Sequence, residues 1–430
     1  MHIPKRMTPG RYIALGFAFT ILIGSILLYL PFTHRTGMDV SFIDALFTST
    51  SAVCVTGLIV VDTYDTFNFL GQSIIALLIQ IGGIGVTSVG VGFILLAKKK
   101  LGYKDQILVK ESLNLTSIRG VVRLVKSVLI MTLCFEGIGA ILSFVVFSKD
   151  YPLPRAIGIS LFHSVAAFNS SGFDILGGLT NLTPYQSNVL LNLTTCGLII
   201  FGGLGFVVVD EIIYKRSFRK FSLHTKVVIT MTISLLFIGT ILIKLIEDIS
   251  WLGAFFFSTS SRSAGFSTFQ VENFTSAGLF LLILLMFIGA SPGSTGGGIK
   301  TTTAFTLIKA TYSAAKNKHC SGFKRKIPSE VISKAFMLTF LAMLLICLCT
   351  FLLCALEPDY TFIQLLFEAV SGLATVGFST GITSELLPIS KCIIIISMFI
   401  GRIGPLTITA LLSSRQLSNA HYSEETLTIG

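Results

Sequence analysis

The chain of 430 residues is 52% hydrophobic and only 12% charged, and its mean hydropathy is +0.83. This composition excludes an ordinary soluble globular protein and predicts a polytopic membrane protein. The net charge is +11, but nucleic-acid binding is not indicated. Most Lys and Arg residues fall in loops on one side of the predicted spans, as expected for a cytoplasmic face.

Long apolar stretches predict eight membrane spans, near 12–31, 70–96, 121–147, 186–213, 227–246, 277–312, 332–356 and 389–413. Each is about as long as the roughly 20 residues that cross a hydrocarbon layer. The basic residues place both termini in the cytoplasm, which predicts a multi-pass protein of the cell membrane. Although Lys5, Arg6 and Arg11 precede the first span as in a signal peptide, no small-residue cleavage site follows. We therefore expect this span to be retained.

Between the spans of each pair lies a shorter apolar segment, at 42–52, 155–168, 251–260 and 361–373. Segments of about 10–14 residues are too short to cross, and the non-helical backbone after them is tolerated only in a buried or water-lined place. The sequence therefore predicts an all-α fold of four helix–pore-loop–helix repeats, with four re-entrant pore helices around one central pore. The repeats are placed at 1–97, 98–214, 215–316 and 317–430.

Each short segment runs into a polar turn centred on a glycine, with the sequences VCVTGL, FNSSGF, RSAGF and ATVGF. Glycine reaches φ > 0 without strain and so lets successive carbonyl oxygens face an axis. The C-terminal dipole end of the preceding helix favours a cation there. We interpret the turns as a carbonyl selectivity filter. The candidate filter residues are Val53, Cys54, Val55, Thr56, Gly57, Asn169, Ser170, Ser171, Gly172, Arg262, Ser263, Ala264, Gly265, Ala374, Thr375, Val376 and Gly377.

A small-residue break recurs in each second span, beginning at Gly82, Gly202, Gly289 and Gly401, which lie 25, 30, 24 and 24 residues after the filter glycines. Packing glycines alone would account for the first two breaks. The third, SPGSTGGG from Ser291, cannot be a continuous helix, because an interior proline costs about 3 kcal/mol and each glycine about 1. We expect it to line the cavity below the filter, with a static packed kink as the alternative.

Three of the ionisable residues inside the predicted spans bear on the pore interpretation. Arg402 is expected on the pathway, where it faces the pore or donates hydrogen bonds to carbonyls of the third break. Lys300 lies nearer the inner end and can extend toward the membrane surface. For Glu136, the sequence leaves open a polar neighbour or a position near a dimer surface.

These motifs resemble the Trk/Ktr/HKT superfamily of potassium transporters over essentially the whole chain. The four glycine turns are similar to the family's filter signature, residues 289–303 (GASPGSTGGGIKTTT) to its third repeat, and Arg402 to its fourth. The chain starts directly with the first repeat and is most similar to a bacterial Ktr membrane subunit. Gly57 stands where sodium-favouring relatives often have serine, so the resemblance implies potassium uptake. Only the fourth turn is close to TVGYG, which implies weaker selectivity than that of a tetrameric potassium channel.

In that family the broken third span is an intramembrane loop that acts as a gate. The resemblance therefore implies a gate formed by Gly289, Ala290, Ser291, Pro292, Gly293, Ser294, Thr295, Gly296, Gly297, Gly298, Lys300 and Arg402. It also implies a homodimer with one pore per chain and a cytosolic ring of nucleotide-binding RCK subunits that respond to ATP and ADP. The basic loops 98–104, 215–226 and 316–326 are the expected docking face for that ring, with anionic membrane lipids as further partners. The tail to Gly430 is expected to take part in the dimer.

Several functions stay compatible with the residues. A passive channel and a sodium-coupled transporter are not separated, because carbonyls alone can form a weak coupling site for sodium. A poorly selective Na/K channel is a further alternative. An ATP-driven pump or an enzyme is not expected, because no catalytic motif is present and 293–301 is one residue out of register with a phosphate-binding loop. The eight cysteines show no paired spacing, so neither a disulfide framework nor a metal site is indicated. No covalent cofactor is expected, only potassium in the filter, with sodium as the coupling ion if transport is coupled.

Overall fold

The computed structural model describes residues 9–86, 88–91, 102, 106–108 and 121–404. Its helices in chain order are α1 (Pro9–Tyr29), α2 (Phe42–Cys54), α3 (Thr63–Thr66), α4 (Phe69–Ile84), α5 (Val121–Phe147), α6 (Leu153–Phe168), α7 (Val189–Leu204), α8 (Phe206–Lys215), α9 (Leu223–Ile246), α10 (Trp251–Ser260), α11 (Ser276–Phe287), α12 (Thr301–Ala315), α13 (Ser329–Leu356), α14 (Phe362–Ala374) and α15 (Pro388–Ile403). Short 3-10 turns lie at Pro31–Thr33, Thr183–Tyr185, Phe218–Lys220, Val271–Asn273 and Ile382–Ser384.

One small hairpin interrupts the helices, with β1 (Ser321–Gly322) pairing antiparallel to β2 (Arg325–Lys326). Phe323 and Lys324 at its tip have φ of 48° and 61°, as a tight two-residue hairpin turn requires. The hairpin lies in the predicted basic loop 316–326. The first basic loop, 98–104, lies outside the described residues apart from Gly102, as do both chain ends.

The first helix of each repeat is the outer one. Helices α1, α5, α9 and α13 contain apolar stretches of 20 to 28 residues, long enough to cross a membrane. Large apolar side chains stay exposed on them, among them Phe19, Leu133, Phe237 and Phe340. This exposure suits a surface that faces lipid, where an apolar side chain needs no protein cover.

The pore helices α2, α6, α10 and α14 lie inside this outer layer. Phe47, Phe168, Phe257 and Phe367 on them are almost fully buried. Each pore helix packs against the outer helix before it. Side-chain caps fix the outer ends of α2, α10 and α14 through Ser41, Ser250 and Thr361, and a cap of this kind contributes about 1 kcal/mol.

The inner helix of each repeat packs against the pore helix of the next. Helix α4 packs against α6, α7 against α10, and α11 against α14, while α15 returns to pack against α2. The four repeats therefore close into a ring in chain order.

The inner spans are broken at the predicted small-residue sites. Helices α4, α7 and α15 end directly before Gly85, Gly205 and Gly404, whose φ angles are 91°, 90° and 90°. These angles lie outside the helical region. At Gly205 the chain therefore bends sharply, and the axes of α7 and α8 form an angle of 97°. The expected spans 70–96 and 389–413 thus contain the shorter helices α4 and α15. Residues 92–96 and 405–413 lie outside the described part of the chain.

Candidate ion pore

The four glycine turns meet in a closed ring. A Cβ atom built on Gly57 would lie 3.1 Å from the Cα of Gly172, and one on Gly172 would lie 3.4 Å from the Cα of Gly265. A Cβ on Gly265 would lie 2.9 Å from the Cα of Gly377, and one on Gly377 would lie 2.8 Å from the Cα of Gly57. In each case the nearest atom is the carbonyl oxygen before the neighbouring glycine, that of Ser171, Ala264, Val376 or Thr56. The ring therefore leaves no room for a side chain on any of the four.

Backbone handedness alternates in three of the turns. The filter glycines have φ between 70° and 97°, and a second left-handed residue stands two positions earlier in three repeats, namely Val55, Ser170 and Thr375. Sequence reasoning assigned positive φ to glycine alone. The additional residues follow from the way the pore helices end, because the amide of Thr56 donates to Ser51 O at 2.8 Å and that of Val376 to Ser371 O at 3.0 Å.

The pore helices run further than the sequence predicted. Val53 and Cys54 belong to the last turn of α2, and Ala374 is the last residue of α14. These three predicted filter residues are therefore helical, because the left-handed caps at Val55 and Thr375 end the helices one or two residues later than the apolar pattern indicates.

The third turn differs from the others. Helix α10 ends at Ser260, and Gly265 is the one left-handed residue between 261 and 266. Arg262, predicted as a filter residue, is 5% exposed, and its Nε has no hydrogen-bond partner among the described residues. Ser263 lies against the glycine-rich loop described below.

Hydroxyl groups support two of the filter glycines from behind. The amide of Gly57 donates to Ser51 Oγ at 3.0 Å, and the amide of Gly377 donates to Ser371 Oγ at 3.1 Å. In the fourth repeat, Glu368 on α14 accepts from the Thr380 amide at 2.9 Å and from Thr383 Oγ1 at 2.8 Å. These bonds hold the first and fourth turns in position.

Acidic side chains that follow the first filter turn connect the first two repeats. Asp65 accepts from the amide of Gly178 at 2.9 Å, and Asp62 accepts from the amide of Leu179 at 2.8 Å. Burial, together with the charges of Asp62 and Asp65, raises the pKa of Asp174 to about 7, although the Leu176 amide opposes the shift. The segment after the second filter turn therefore carries a carboxyl group whose pKa lies near neutral pH.

The third break forms a folded loop between α11 and α12. The amide of Ala290 donates to Gly297 O at 3.2 Å, and Ile288 pairs with Ile299 as an isolated parallel bridge. Ser291 Oγ and Thr301 Oγ1 lie 3.1 Å apart. The loop closes on itself and carries internal hydrogen bonds, so it is not a simple kink in one helix.

This loop lies directly beneath the ring and contacts the second repeat. Thr295 donates through its amide to Gly202 O at 3.3 Å and through Oγ1 to Phe168 O at 3.3 Å. Its Oγ1 is also 3.5 Å from Ser170 Oγ, a candidate filter atom. The amide of Ser291 donates to Gly203 O at 3.1 Å.

The loop also touches the third and fourth filter turns. A Cβ on Gly296 would lie 2.6 Å from Ser263 Cβ, and one on Gly297 would lie 3.0 Å from Ala374 O. The candidate gate residues are thus packed against three of the four turns.

Two cationic side chains hold the loop. Arg402 donates through Nη1 to Thr295 O and through Nη2 to Gly82 O, so one guanidinium joins the loop to the break of the first repeat. Lys300 Nζ donates to Gly296 O at 2.7 Å. It therefore turns back onto the loop instead of extending toward the inner surface, because the loop carbonyls offer a nearer acceptor.

Sequence reasoning missed one side chain near the filter, that of Gln80, which contacts Glu136. Glu136 has polar neighbours, Gln80 and Asn169, which is the first of the two alternatives that the sequence left open. Gln80 was not anticipated, although a lone glutamine in the apolar run IIALLIQIGG is the kind of signal that indicates a buried polar contact.

Comparisons with known proteins agree with this architecture. The family model TrkH, described as a cation transport protein, matches residues 18–422. The potassium/sodium uptake protein NtpJ of Enterococcus hirae is 37% identical over 100% of this chain and 98% of its own length. The Ktr system potassium uptake protein B of Bacillus subtilis is 37% identical over 97% of this chain and 96% of its own.

The solved structure of the potassium transporter TrkH from Vibrio parahaemolyticus shares the fold. It matches with a TM-score of 0.77 at 18% identity and covers 96% of this chain and 86% of that one. The predicted all-α polytopic membrane fold with pore-loop repeats is thereby confirmed. Because the family model spans most of the sequence and the relatives align over nearly full length, the chain belongs to the TrkH family of cation transport proteins.

Proposed function

We propose that this chain takes up potassium across the cell membrane through a pore whose selectivity filter is formed by the four glycine turns. The observation that carries the proposal is the closed ring in which Gly57, Gly172, Gly265 and Gly377 each abut the next. The names of the relatives, potassium uptake and potassium/sodium uptake proteins, support the choice of ion.

Carbonyl oxygens provide the chemistry that this ring needs. The carbonyls of Thr56, Ser171, Ala264 and Val376 precede the four glycines and lie at the contacts between repeats. Carbonyl oxygens replace part of the hydration shell of a potassium ion, which is the transported substrate. The alternation of left- and right-handed residues turns successive carbonyls toward one side, and the C-terminal ends of α2, α6 and α14 add negative potential there.

The loop 289–298 acts as the gate in this proposal. Its contacts with Phe168, Ser263 and Ala374 support this role, because a loop packed against the turns beneath the ring obstructs an ion that leaves the filter. Arg402 and Lys300 hold the loop in this position, and their charges oppose the passage of a cation. Opening requires these hydrogen bonds to break.

The chain acts as the membrane subunit of a larger system. The relatives named as Ktr system proteins support this assignment. We propose a homodimer with cytoplasmic termini, regulated by a cytosolic RCK-type nucleotide-binding ring at the basic loops 215–226 and 316–326. If potassium uptake is coupled to sodium, carbonyl groups provide a second, weaker site that binds the sodium ion.

A poorly selective Na/K channel is the second candidate. The third turn favours it, because that turn lacks the second left-handed residue found in the other three and holds Arg262 instead of a small side chain. Fewer well-placed carbonyls on one side of the ring would discriminate less between the two ions.

Ion flux into liposomes that contain the purified chain tests both candidates. Potassium flux that exceeds sodium flux, without ATP, supports selective uptake and excludes an ATP-driven pump. Equal fluxes support the second candidate. If folded protein passes neither ion even after the cytosolic regulator and ATP are added, the pore assignment is wrong.

A further inference from the structure

A buried polar cluster lies behind the second filter turn and joins three helices. Asn169, which follows α6, donates through Nδ2 to Gln80 Oε1 on α4 at 2.8 Å and to Glu136 Oε1 on α5 at 3.0 Å. Gln80 Nε2 lies 3.3 Å from Glu136 Oε2. Glu136 is 8% exposed and Asn169 is fully buried.

The cluster is not an ion pair. In the described part of the chain, Glu136 has two side-chain partners, both neutral amides, and forms no salt bridge. A carboxyl group inside a membrane helix is costly unless it is partnered, and such groups usually mark a functional place. Glu136 can therefore influence the filter turn only through its hydrogen-bond partners, Asn169 and Gln80.

Asn169 connects the cluster to the pore. It lies between helix α6 and Ser170, the left-handed residue of the second turn. A Cβ built on Gly83 would lie 2.8 Å from Asn169 Cβ, so the first inner span packs closely on the other side of this side chain. A rotation of Asn169 would displace either the turn or the inner span.

The second repeat lacks the support that two others possess. In the first and fourth repeats, Ser51 and Ser371 lie six residues before the filter glycine and accept its amide. Ala166 occupies the corresponding position before Gly172 and has no hydroxyl group. In the position of Asn169, the first and fourth repeats carry Cys54 and Ala374. The second turn therefore has a different support, which holds the side chain of Asn169 at the start of the turn and not the amide of the filter glycine.

We propose that Glu136 and Gln80 are positioning residues for ion selectivity, which hold Asn169 and thereby the second filter turn in the geometry that fits potassium. This inference rests on the proposed function. Neither side chain contacts the ion. Their effect reaches the ring through the hydrogen bonds to Asn169 Nδ2.

The test compares the potassium-to-sodium permeability ratio of four variants with that of the wild type in liposomes. Glu136→Leu and Gln80→Leu each remove one hydrogen-bond acceptor of Asn169 and are expected to lower the ratio about tenfold, the effect of losing one buried hydrogen bond. Glu136→Gln keeps an acceptor oxygen and should retain most of the selectivity. The matched control is Ser164→Ala, which loses the bond from Ser164 Oγ to Glu136 O at 2.6 Å between the same two helices without touching Asn169.

Gel filtration and thermal unfolding establish that each variant is folded, and Gln80→Leu decides the test if Glu136→Leu does not fold. Unchanged ratios in both leucine variants would overturn the inference while the wild type still supports the proposed function. So would an equal loss in Ser164→Ala, which would indicate general helix packing, or in Glu136→Gln, which would indicate charge. A wild type without potassium-selective flux overturns the proposed function and this inference together.

Discussion

Replacement of Gly57 by serine is predicted to weaken the preference for potassium over sodium. Gly57 has φ of 95°, and a side chain in this region costs about 1–3 kcal/mol. Its Cβ would overlap the carbonyl oxygen of Ser171 and lie 3.1 Å from the Cα of Gly172. The Ser171 carbonyl must therefore move. If the displacement weakens potassium binding relative to sodium by about 1.4 kcal/mol, the selectivity ratio falls tenfold.

Gly37 provides a matched control for the strain alone. It has φ of 85°, and a Cβ on it would meet nothing within 4 Å. Gly37→Ser should therefore lower the stability by a similar amount and leave the selectivity ratio unchanged. Thermal unfolding and the potassium and sodium fluxes of both variants in liposomes separate the strain from the contact within the ring.

Two results would refute the reasoning. A folded Gly57→Ser variant with the wild-type flux ratio would show that the ring contact does not determine selectivity. An equal loss of selectivity in Gly37→Ser would show that backbone strain anywhere in the outer region is sufficient, and the geometry of the ring would then explain nothing.

Three further predictions concern the loop, its arginine and the carboxyl group of Asp174. Deletion of residues 294–298 should raise basal potassium flux, because it removes the segment beneath the ring; a folded, dimeric deletion variant with unaltered or reduced flux would leave only a packing role. Arg402→Gln should also raise basal flux, about tenfold or more. The variant loses the hydrogen bond from the guanidinium to Thr295 O, and a bond from a charged group contributes about 1.5–3 kcal/mol. Unchanged basal flux would contradict this prediction. The raised pKa of Asp174, about 7, means that the folded chain binds this proton more tightly than the unfolded chain, so stability should fall as pH rises from about 4 to 7. Thermal unfolding at pH 5 and pH 8 should show a smaller difference in Asp174→Asn than in the wild type.

The positions of the helices could be predicted because the composition and length of each apolar stretch determine where a helix forms. The third span was placed at 121–147 and the third pore helix at 251–260, and the structure has α5 and α10 with these bounds. An unbroken apolar run predicts the span, and Ser250 caps the start of α10 with a bond to the Gly253 amide at 3.0 Å. Both signals are contained in short stretches of sequence.

The backbone of the turns was less predictable. Valine and threonine rarely adopt φ > 0, yet Val55 and Thr375 do so, with φ of 57° and 50°. The packing of four turns around one axis overrides their local preference. A pattern of residue types carries no information about that tertiary constraint.

Partners of the buried charges also depend on contacts distant in sequence. Glu136 meets Gln80 across two helices, and Arg402 meets Gly82 from the far end of the chain. The sequence indicated that both charges need partners. It did not indicate which residues these partners are. They depend on the order of the repeats around the ring, and the sequence of one repeat does not show which repeats lie next to it.

The differences between the repeats explain why one chain suits this pore better than four identical subunits. Arg402 aligns with Gly83, Gly203 and Ala290 in the other breaks. Four arginines at one level would repel, by roughly 2 kcal/mol for each pair about 8 Å apart at an effective dielectric constant near 20, and four copies of the loop would compete for one axis. A single guanidinium can reach Gly82 on one side and Thr295 on the other because the equivalent residues are small. The proposed gate therefore requires asymmetry below a filter that is itself nearly symmetric, and a fused fourfold repeat permits both.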